Sequence, residues 1–352
     1  MQPLLSIFTP THYSDAKHYA SLMNLIAIGE ELKEVEVIIS DNSGKIEKHN
    51  FLKNFEAKNV KIITGEMDDN YHFALKNTTG EYVLPCGDDD FVFSAGIAAI
   101  LEQIKQDKAS NNLKNGYTGV FCNKHSRLND FFRIDGIGED LISERVAGWI
   151  KCLPKGNPIF HSVMRRDSAL QTWDFWFNQL PNPQAYQDQL ATLYFVLLGS
   201  TSFVNQSYFM YEATNWGNVE NMINSEIKYM LKSKSDNHAP LSYLILQRLE
   251  LAVTGFFLIK SKRFDSPEDD KQKAATIWFL RWYELWKQQS IRFYMDIKVI
   301  KECPYFLDVL VVVDKYKNLT ELSPNNILQD MADILQKFNN KGDEYLQFWH
   351  SV

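Results

Sequence analysis

The stretch that decides the fold is residues 81–90, EYVLPCGDDD, where a short apolar run ends in three consecutive aspartates. Tyr82 to Pro85 has the pattern of a strand, and a carboxylate cluster directly after a strand lies at the edge of a sheet. Carboxylates are the hard oxygen ligands that divalent cations prefer. The stretch therefore predicts a site for a metal and a phosphorylated ligand.

Strands and helices alternate upstream of this stretch. The pattern predicts strands at Leu4 to Thr9, Val35 to Ser40 and Val60 to Thr64, with helices in the segments between them. After the aspartates, apolar residues at helical spacing predict a further helix, with Ser94 as its cap, at Ile97, Ile100, Leu101 and Ile104. This alternation predicts an α/β fold with a mostly parallel, Rossmann-like sheet flanked by helices on both faces.

Polar residues follow three of the predicted strands at the point where each strand ends. They are residues 9–12, 41–44 and 88–90. Ligands of parallel sheets bind beyond the carboxyl ends of the strands, so we expect these clusters to meet at one edge. By itself, the aspartate run could be only a turn that caps a helix, since Asp is favoured at caps and turns. The other two clusters favour a functional site.

Composition narrows the class of protein. The 352 residues are 45% hydrophobic, which predicts about two globular domains with ample core. A net charge of −7 argues against nucleic-acid binding, which normally needs a basic surface. The four cysteines are far apart and match neither a zinc site nor a disulfide framework, so we expect reduced thiols in the cytoplasm. The longest apolar run, Leu251 to Ile259, is about half the length that spans a bilayer, and we expect no transmembrane segment.

The rest of the chain is less regular. We predict strands at Val120 to Asn123 and Pro158 to Met164, a helix at Leu141 to Cys152, and a helix from about Asp188 to Leu197. Beyond about residue 216 the pattern becomes helical. Tyr243, Leu246, Leu249 and Val253 form one stripe, and Trp278, Trp282, Leu285 and Gln289 form another, with a charged linker at residues 266–270 between them.

The chain resembles family 2 glycosyltransferases with the A-type nucleotide-sugar-binding fold. The resemblance rests on residues 3–11, 37–43 and 79–90, covers about residues 1–105, and extends thinly to about 212. It implies a catalytic domain at 1–215, with a donor half at 1–106 and an acceptor half at 107–215. Residues 216–352 would then be a helical region for contact with acceptor, a second subunit or a membrane.

The resemblance also implies roles for individual residues. Asp88 and Asp90 match the D-x-D motif that holds Mn²⁺ or Mg²⁺, with Asp90 as the direct ligand. Residues that match the donor-binding positions are Thr9, Pro10, Thr11, Asp41, Asp88 and Asp89. Many relatives have two acidic residues where this chain has Ser40-Asp41, and an arginine or asparagine pair where it has His12-Tyr13-Ser14. These departures bear on which nucleotide base is bound.

Asp188 matches the acidic residue that accepts the proton of the acceptor hydroxyl in such enzymes. An attacking hydroxyl must lose its proton, and a carboxylate within hydrogen-bond reach can take it. An acidic residue in the first turn of a helix is also stabilised by the macrodipole without any catalytic role. Both interpretations stay open, and the rival bases are Glu139, Asp140 and Glu212.

Three other groups have both a functional and an ordinary interpretation. His125 and His161 could contact phosphate or acceptor, or be ordinary core or polar residues. Arg165-Arg166 could pair with a diphosphate, or be the charged end of a strand. The helix with Trp278, Trp282 and Trp286 also carries basic residues, so it could lie at a membrane surface or pack in a core or subunit contact.

The sequence thus predicts a metal-dependent, inverting glycosyltransferase that moves a sugar from a nucleotide diphosphate sugar, most simply a UDP-sugar, to a saccharide hydroxyl. The acceptor would be a saccharide or lipid-linked saccharide of bacterial surface polysaccharide or lipopolysaccharide synthesis. The C-terminal region has two further alternative roles. It could contact the inner face of the membrane peripherally, or it could form a homo-oligomer. A sugar nucleotidyltransferase would need a glycine-rich basic loop after the first strand, which residues 9–13 lack. A non-catalytic saccharide-binding protein with the same fold is the second alternative.

Overall fold

The computed structural model describes residues 2–65, 69–124, 129–133, 137–152, 157–181, 188–213 and 241–352. The chain forms two compact units, each built from separate segments. The sheet unit comprises Met1–Asp140, Cys152–Trp173 and Leu198–Gly217, and the helical unit comprises Leu141–Lys151, Asp174–Leu197 and Asn218–Val352. The functional division predicted after residue 215 stays a prediction.

The sheet unit alternates strands with helices in its first half. Its strands are β1 Leu5–Thr11, β2 Val35–Asp41, β3 Val60–Thr64, β4 Tyr82–Pro85, β5 Phe91–Val92, β6 Gly116–Lys124, β7 Asn129–Phe132, β8 Val163–Arg165 and β9 Thr201–Glu212. Its helices are α1 Ala16–Glu31, α2 Ile46–Lys53, α3 Asn70–Lys76, α4 Ser94–Ala109 and α6 Arg166–Asp174. The strand and helix order predicted for residues 1–105 is therefore confirmed.

The strands form one sheet in the order β3-β2-β1-β4-β8-β6-β9-β5, with β7 paired to β6. Strands β3, β2, β1 and β4 are parallel, whereas β8 is antiparallel to both β4 and β6. Strand β6 then pairs with β9 in parallel. The predicted α/β fold is confirmed, and each antiparallel pair includes a strand from residues 116–212, where the sequence pattern is irregular.

Burial explains why the first strands are so apolar. Every residue of β2 is buried, including Val37, Ile38 and Ile39, because helices cover both faces of a parallel sheet. Helix α4 packs against β9 at Gly96, where an added Cβ would lie 2.0 Å from the carbonyl oxygen of Ser207. That close approach requires glycine.

Three local predictions are wrong. Residues Pro158–His161 form a 3₁₀ helix, and only Val163–Arg165 is a strand. The proline has no N–H for a sheet ladder but suits the first turn of a helix. Helix α4 begins at Ser94, and the preceding Phe93 makes no side-chain cap. The charged linker is also shorter than expected, because Glu268 to Asp270 form the first turn of a helix.

The helical unit consists of helices that pack around aromatic side chains. They are α5 Ile142–Cys152, α7 Asp188–Leu198, α8 Gln247–Lys260, α9 Glu268–Leu285, α10 Ile291–Tyr294, α11 Lys298–Lys301, α12 Phe306–Tyr316, α13 Pro324–Asn339 and α14 Gly342–Ser351. A 3₁₀ helix, Leu241–Ile245, precedes α8, and π-helical turns span Phe175–Gln179 and Trp286–Ser290. Within the described part of the chain, every helix is too short or too polar to cross a membrane.

The tryptophan stripe of α9 lies in the core of this unit. Trp278 stacks on Trp149 with ring centroids 5.1 Å apart, and its indole N–H donates to the carbonyl of Leu251 at 2.7 Å. Trp286 is also fully buried and donates to the carbonyl of Ile245 at 2.6 Å. The membrane-surface interpretation of these tryptophans is therefore wrong, and the core-packing interpretation is confirmed.

Candidate functional site

The ends of β1 and β4 meet at one edge of the sheet. The hydroxyl of Thr11 donates to Asp88 Oδ2 at 2.8 Å, and the backbone N–H of His12 donates to the same oxygen at 3.3 Å. Strand β2 ends beside them, since Asp41 pairs with Thr11 in the parallel register. The structure therefore brings together the three clusters that the sequence places after these strands.

A lysine that sequence reasoning missed joins these residues. Lys48 of α2 is 2% exposed, and its ammonium donates to Thr11 Oγ1 at 2.8 Å and lies 3.3 Å from Asp41 Oδ1. Burial lowers the pKa of Lys48, and the neighbouring Asp41 and Asp88 carboxylates oppose that shift. A signal was present, because Lys48 stands four residues before the buried Leu52 on the same helical face.

Asp90 is the most buried of the three aspartates, with 2% of its surface exposed. Its Oδ1 accepts the backbone N–H of Glu212 at 2.9 Å, and its Oδ2 accepts that of Gly87 at 3.2 Å. Burial, and then the Asp89 carboxylate, raise the pKa of Asp90 to about 7. Among the described residues, no cationic side chain pairs with it, so its charge is balanced only by backbone dipoles.

Asp89 faces outward and forms part of a second charged group. Lys17 of α1 lies 3.2 Å from Asp89 Oδ2 and 3.9 Å from Glu212 Oε2. Lys124 lies 2.9 Å from the same oxygen of Glu212, which is 5% exposed. Glu212, one of the rival bases, therefore lies beside the aspartates, in ion pairs with two lysines.

The aspartates suit a metal that is shared with a ligand. Among the described residues, no group of three His, Cys, Asp or Glu side chains surrounds a single point. Magnesium-type ions are commonly held by one or two carboxylates together with the phosphates of a substrate, which needs no such cage. Carboxylate oxygens have further lone pairs beyond those that accept the hydrogen bonds described above. The donor set of Asp88 and Asp90, with the uncompensated charge of Asp90, fits a divalent cation bound in this way.

The remaining donor-binding candidates lie at the ends of β1 and β2. Thr9 is fully buried, and its hydroxyl has no hydrogen-bond partner among the described residues. Pro10 is partly exposed, and Asp41 accepts the backbone N–H of Ser43 at 3.1 Å in a short turn. These residues make the edge of the sheet polar, and the hydrogen bond to Ser43 limits the rotation of the Asp41 side chain.

Asp188 begins α7 in the helical unit, as the pattern predicts. Gln189 donates to Asp188 Oδ2 at 3.3 Å, and Thr192 donates to its carbonyl at 2.8 Å. The catalytic role of Asp188 stays a prediction, and residues 182–187 before it lie outside the described residues. The rival bases Glu139 and Asp140 are exposed.

The two arginines of residues 165 and 166 lie away from the aspartates. Arg165 pairs with Tyr82 at the amino end of β4, whereas the aspartates follow its carboxyl end. The guanidinium of Arg166 donates to the carbonyl and the hydroxyl of Thr78, at 3.0 Å in each case. This placement favours the strand-end interpretation over contact with a diphosphate.

His161 packs among aromatic rings, with Phe209 4.7 Å and Phe160 5.4 Å away between ring centroids. Burial lowers the pKa of His161 to about 3, although a hydrogen bond to the Pro85 backbone opposes the shift. The ring is therefore neutral near pH 7, which favours the core interpretation over binding of phosphate. His125 lies outside the described residues.

Comparison with known proteins shows the fold. The chain matches no protein-family model and no curated protein sequence. It is similar to two crystal structures of Staphylococcus aureus TarS residues 1–349. The complex with UDP-GlcNAc is 16% identical over 99% of this chain and 90% of that chain, with a TM-score of 0.54. The complex with UDP is 16% identical over 97% of this chain and 91% of that chain, with a TM-score of 0.53. A solved structure of a Pyrobaculum calidifontis mannosyltransferase in complex with GDP-Man and Mn²⁺ is more distant, with 10% identity over 99% of this chain and 86% of that chain and a TM-score of 0.43. The similarity to TarS shows that the chain has the A-type glycosyltransferase fold.

Replacing Lys48 with Met should destabilise the protein, because Asp41 would then be a buried carboxylate without its cation. We expect a loss of about 3 kcal/mol in the free energy of unfolding, measured by urea denaturation. The matched control is Lys53→Met on the same helix, where the ion pair with Glu56 is exposed and the loss should stay under about 1 kcal/mol. Equal losses in the two variants would contradict the assigned role of Lys48.

His161 should make stability depend on pH. Its pKa is about 3 in the folded state and 6.5 as a free side chain, so protonation favours unfolding and stability falls as pH drops below about 6.5. Between pH 7.5 and 5.5 this contribution should be about 1 kcal/mol. The raised pKa of Asp90 contributes with the opposite sign in this range, so the variants are compared with the unchanged chain. Relative to that chain, His161→Phe should gain about 1 kcal/mol of stability between pH 7.5 and 5.5, and the exposed His350→Gln should gain none. An unchanged slope in His161→Phe would show that other groups cause it.

Proposed function

We propose that this protein is a metal-dependent, inverting glycosyltransferase that transfers a sugar from a UDP-sugar to a saccharide hydroxyl. The observation that carries the proposal is the meeting of Thr11, Asp41 and Asp88 at the carboxyl edge of the sheet, joined by Lys48. In parallel sheets this edge is where ligands bind. Two solved TarS structures of the same fold contain UDP-GlcNAc and UDP, which supports a uridine nucleotide donor.

The nucleoside end of the donor is assigned to β1 and β2. Asp41, with Thr9, Pro10 and Thr11, would hold the base and ribose. The ion pair with Lys48 fixes the Asp41 carboxylate, and the turn to Ser43 limits its rotation. Because the Asp41 side chain is held in place before binding, it loses less conformational entropy when the donor binds.

The diphosphate end is assigned to the aspartates, with Asp88 and Asp90 as ligands of Mn²⁺ or Mg²⁺. A bound divalent cation would stabilise the negative charge that develops on the leaving diphosphate. Asp89 and its partner Lys17 lie at the exposed side of the same loop, where Asp89 would orient the donor through this ion pair. The hydrogen bonds from Gly87 and Glu212 to Asp90 keep the loop in place.

Asp188 is assigned as the base. The acceptor oxygen attacks the anomeric carbon from the face opposite the diphosphate, the bond to the diphosphate breaks, and the proton of the attacking hydroxyl passes to the Asp188 carboxylate. Because the attack comes from the face opposite the leaving group, the anomeric configuration is inverted. The acceptor would be a saccharide or lipid-linked saccharide of a bacterial surface polysaccharide or lipopolysaccharide, with the C-terminal helices contributing to acceptor, subunit or membrane contact.

A donor assay tests the function. Purified protein with Mn²⁺ and a panel of nucleotide sugars should release a nucleoside diphosphate, and release should be fastest from a UDP-sugar. Pyrophosphate release would instead identify a sugar nucleotidyltransferase. If neither product forms although nucleotide sugars bind, the chain is a non-catalytic binding protein.

The metal assignment predicts that Asp90→Asn loses metal-dependent turnover by roughly 100-fold or more. Asn removes a buried charge that no cationic side chain balances among the described residues, and its Oδ1 can still accept the N–H of Glu212, whereas the N–H of Gly87 loses its acceptor. We therefore expect the fold to survive with at most a small drop in the thermal midpoint. Turnover at varied Mn²⁺ concentration and the thermal midpoint are the two measurements. Glu30→Gln, on the exposed side of α1, controls for the loss of one negative charge. Normal metal dependence in Asp90→Asn would remove Asp90 as a ligand.

The base assignment predicts that Asp188→Asn still binds the donor but turns over roughly 100-fold more slowly or worse. Donor binding is measured by calorimetry with UDP and turnover by release of UDP. Glu139→Gln and Asp140→Asn, the exposed rivals, should keep normal turnover. Normal turnover in Asp188→Asn, or a loss confined to a rival, would overturn the assignment.

A further inference from the structure

The helical unit contains a cavity that uses none of the residues assigned to sugar transfer. Its volume is about 580 Å³, within the range of roughly 300–1,000 Å³ that is typical of small-molecule sites. The cavity lies between the start of α8 and the π-helical turn Trp286–Ser290 with the helix that follows it. Its main lining residues are Arg248, Gln288, Gln289, Ser290, Arg292 and Phe293.

Ser290 contributes a buried polar group to the lining of this cavity. The side chain is 1% exposed, and its hydroxyl has no hydrogen-bond partner among the described residues. A buried hydroxyl without a partner destabilises the folded protein, so a structural role does not explain it. Ser290 also ends a π-helical turn, a rare geometry that is frequent at functional sites. A bound ligand would supply the missing hydrogen bond.

The charges of the lining favour an anion. Arg248 and Arg292 contribute two guanidinium groups, and Asp296 is the one acidic residue of the lining. Arg248 donates to Gln289 Oε1 at 2.7 Å, which fixes its orientation at the cavity. Arg292 is exposed and forms no ion pair with any residue in the described part of the chain. The planar fork of a guanidinium matches the oxygens of a phosphate or carboxylate.

The other lining groups suit a sugar. The amides of Gln288 and Gln289 offer both donors and acceptors, as sugar hydroxyls require. Phe293 is partly exposed and offers an apolar ring surface. We propose that this cavity is a second binding site, for a saccharide that carries a phosphate or carboxylate group. The guanidiniums and Ser290 would bind the anionic group, and the amides would bind the hydroxyls.

Calorimetric titration of the full chain with glucose 6-phosphate, glucuronate, glucose and inorganic phosphate tests this proposal. We expect at least one of the two anionic sugars to bind tenfold or more tightly than both glucose and phosphate. Arg292→Gln should weaken that binding tenfold or more. Lys287→Gln is the matched control, because this exposed lysine belongs to the same π-helical turn and does not line the cavity. Saturating UDP, which would occupy the proposed donor site, should also leave the binding unchanged.

Ser290→Ala separates a ligand-binding hydroxyl from a merely buried one. A binding role predicts weaker affinity for the anionic sugar together with an unchanged or higher thermal midpoint. A higher midpoint with unchanged affinity would overturn the role of Ser290 in binding. Equal affinity for glucose or for inorganic phosphate, binding that survives Arg292→Gln, or binding that UDP displaces would overturn the proposed site.

Discussion

The carboxyl edge of the sheet depends on one buried ion pair, between Lys48 and Asp41. Both side chains are almost fully buried, and burying a charge is costly unless a partner offsets the lost hydration. The ammonium also donates to Thr11, which in turn donates to Asp88. One chain of polar contacts therefore connects α2 with the ends of β2, β1 and β4, and it fixes the relative positions of the groups assigned to the donor.

Charge balance differs between the two ends of this site. At the end proposed for the nucleoside, the cation of Lys48 lies directly against Asp41. At the end proposed for the diphosphate, Asp90 has backbone N–H partners only, and its pKa is raised by burial and by Asp89. A cation shared with a diphosphate would balance this second end, whereas the first end is balanced by the protein itself. This difference is the physical basis for assigning the two ends to different parts of one ligand.

The helical unit illustrates how tertiary context changes the meaning of a pattern. Tryptophans with interspersed basic residues are typical of membrane surfaces, yet Trp278 and Trp286 are buried and donate to backbone carbonyls. Their indole N–H groups have partners inside the unit, so the side chains can leave water without loss. The hydroxyl of Ser290 differs from these indoles in two respects, since it has no partner among the described residues and belongs to a residue that lines a cavity.

The sequence by itself determined the parallel half of the sheet and the position of the aspartates. Strands that are buried on both faces are continuous apolar runs, and their ends are marked by polar turns, so β1 to β4 could be placed within one or two residues. Only the tertiary structure decided the partners of those residues. The burial of Lys48 against Thr11 and the contact of Glu212 with Asp90 depend on pairings between residues 37 and 122 positions apart, respectively. Local patterns do not encode such pairings, because they arise only when distant strands and helices pack against one another.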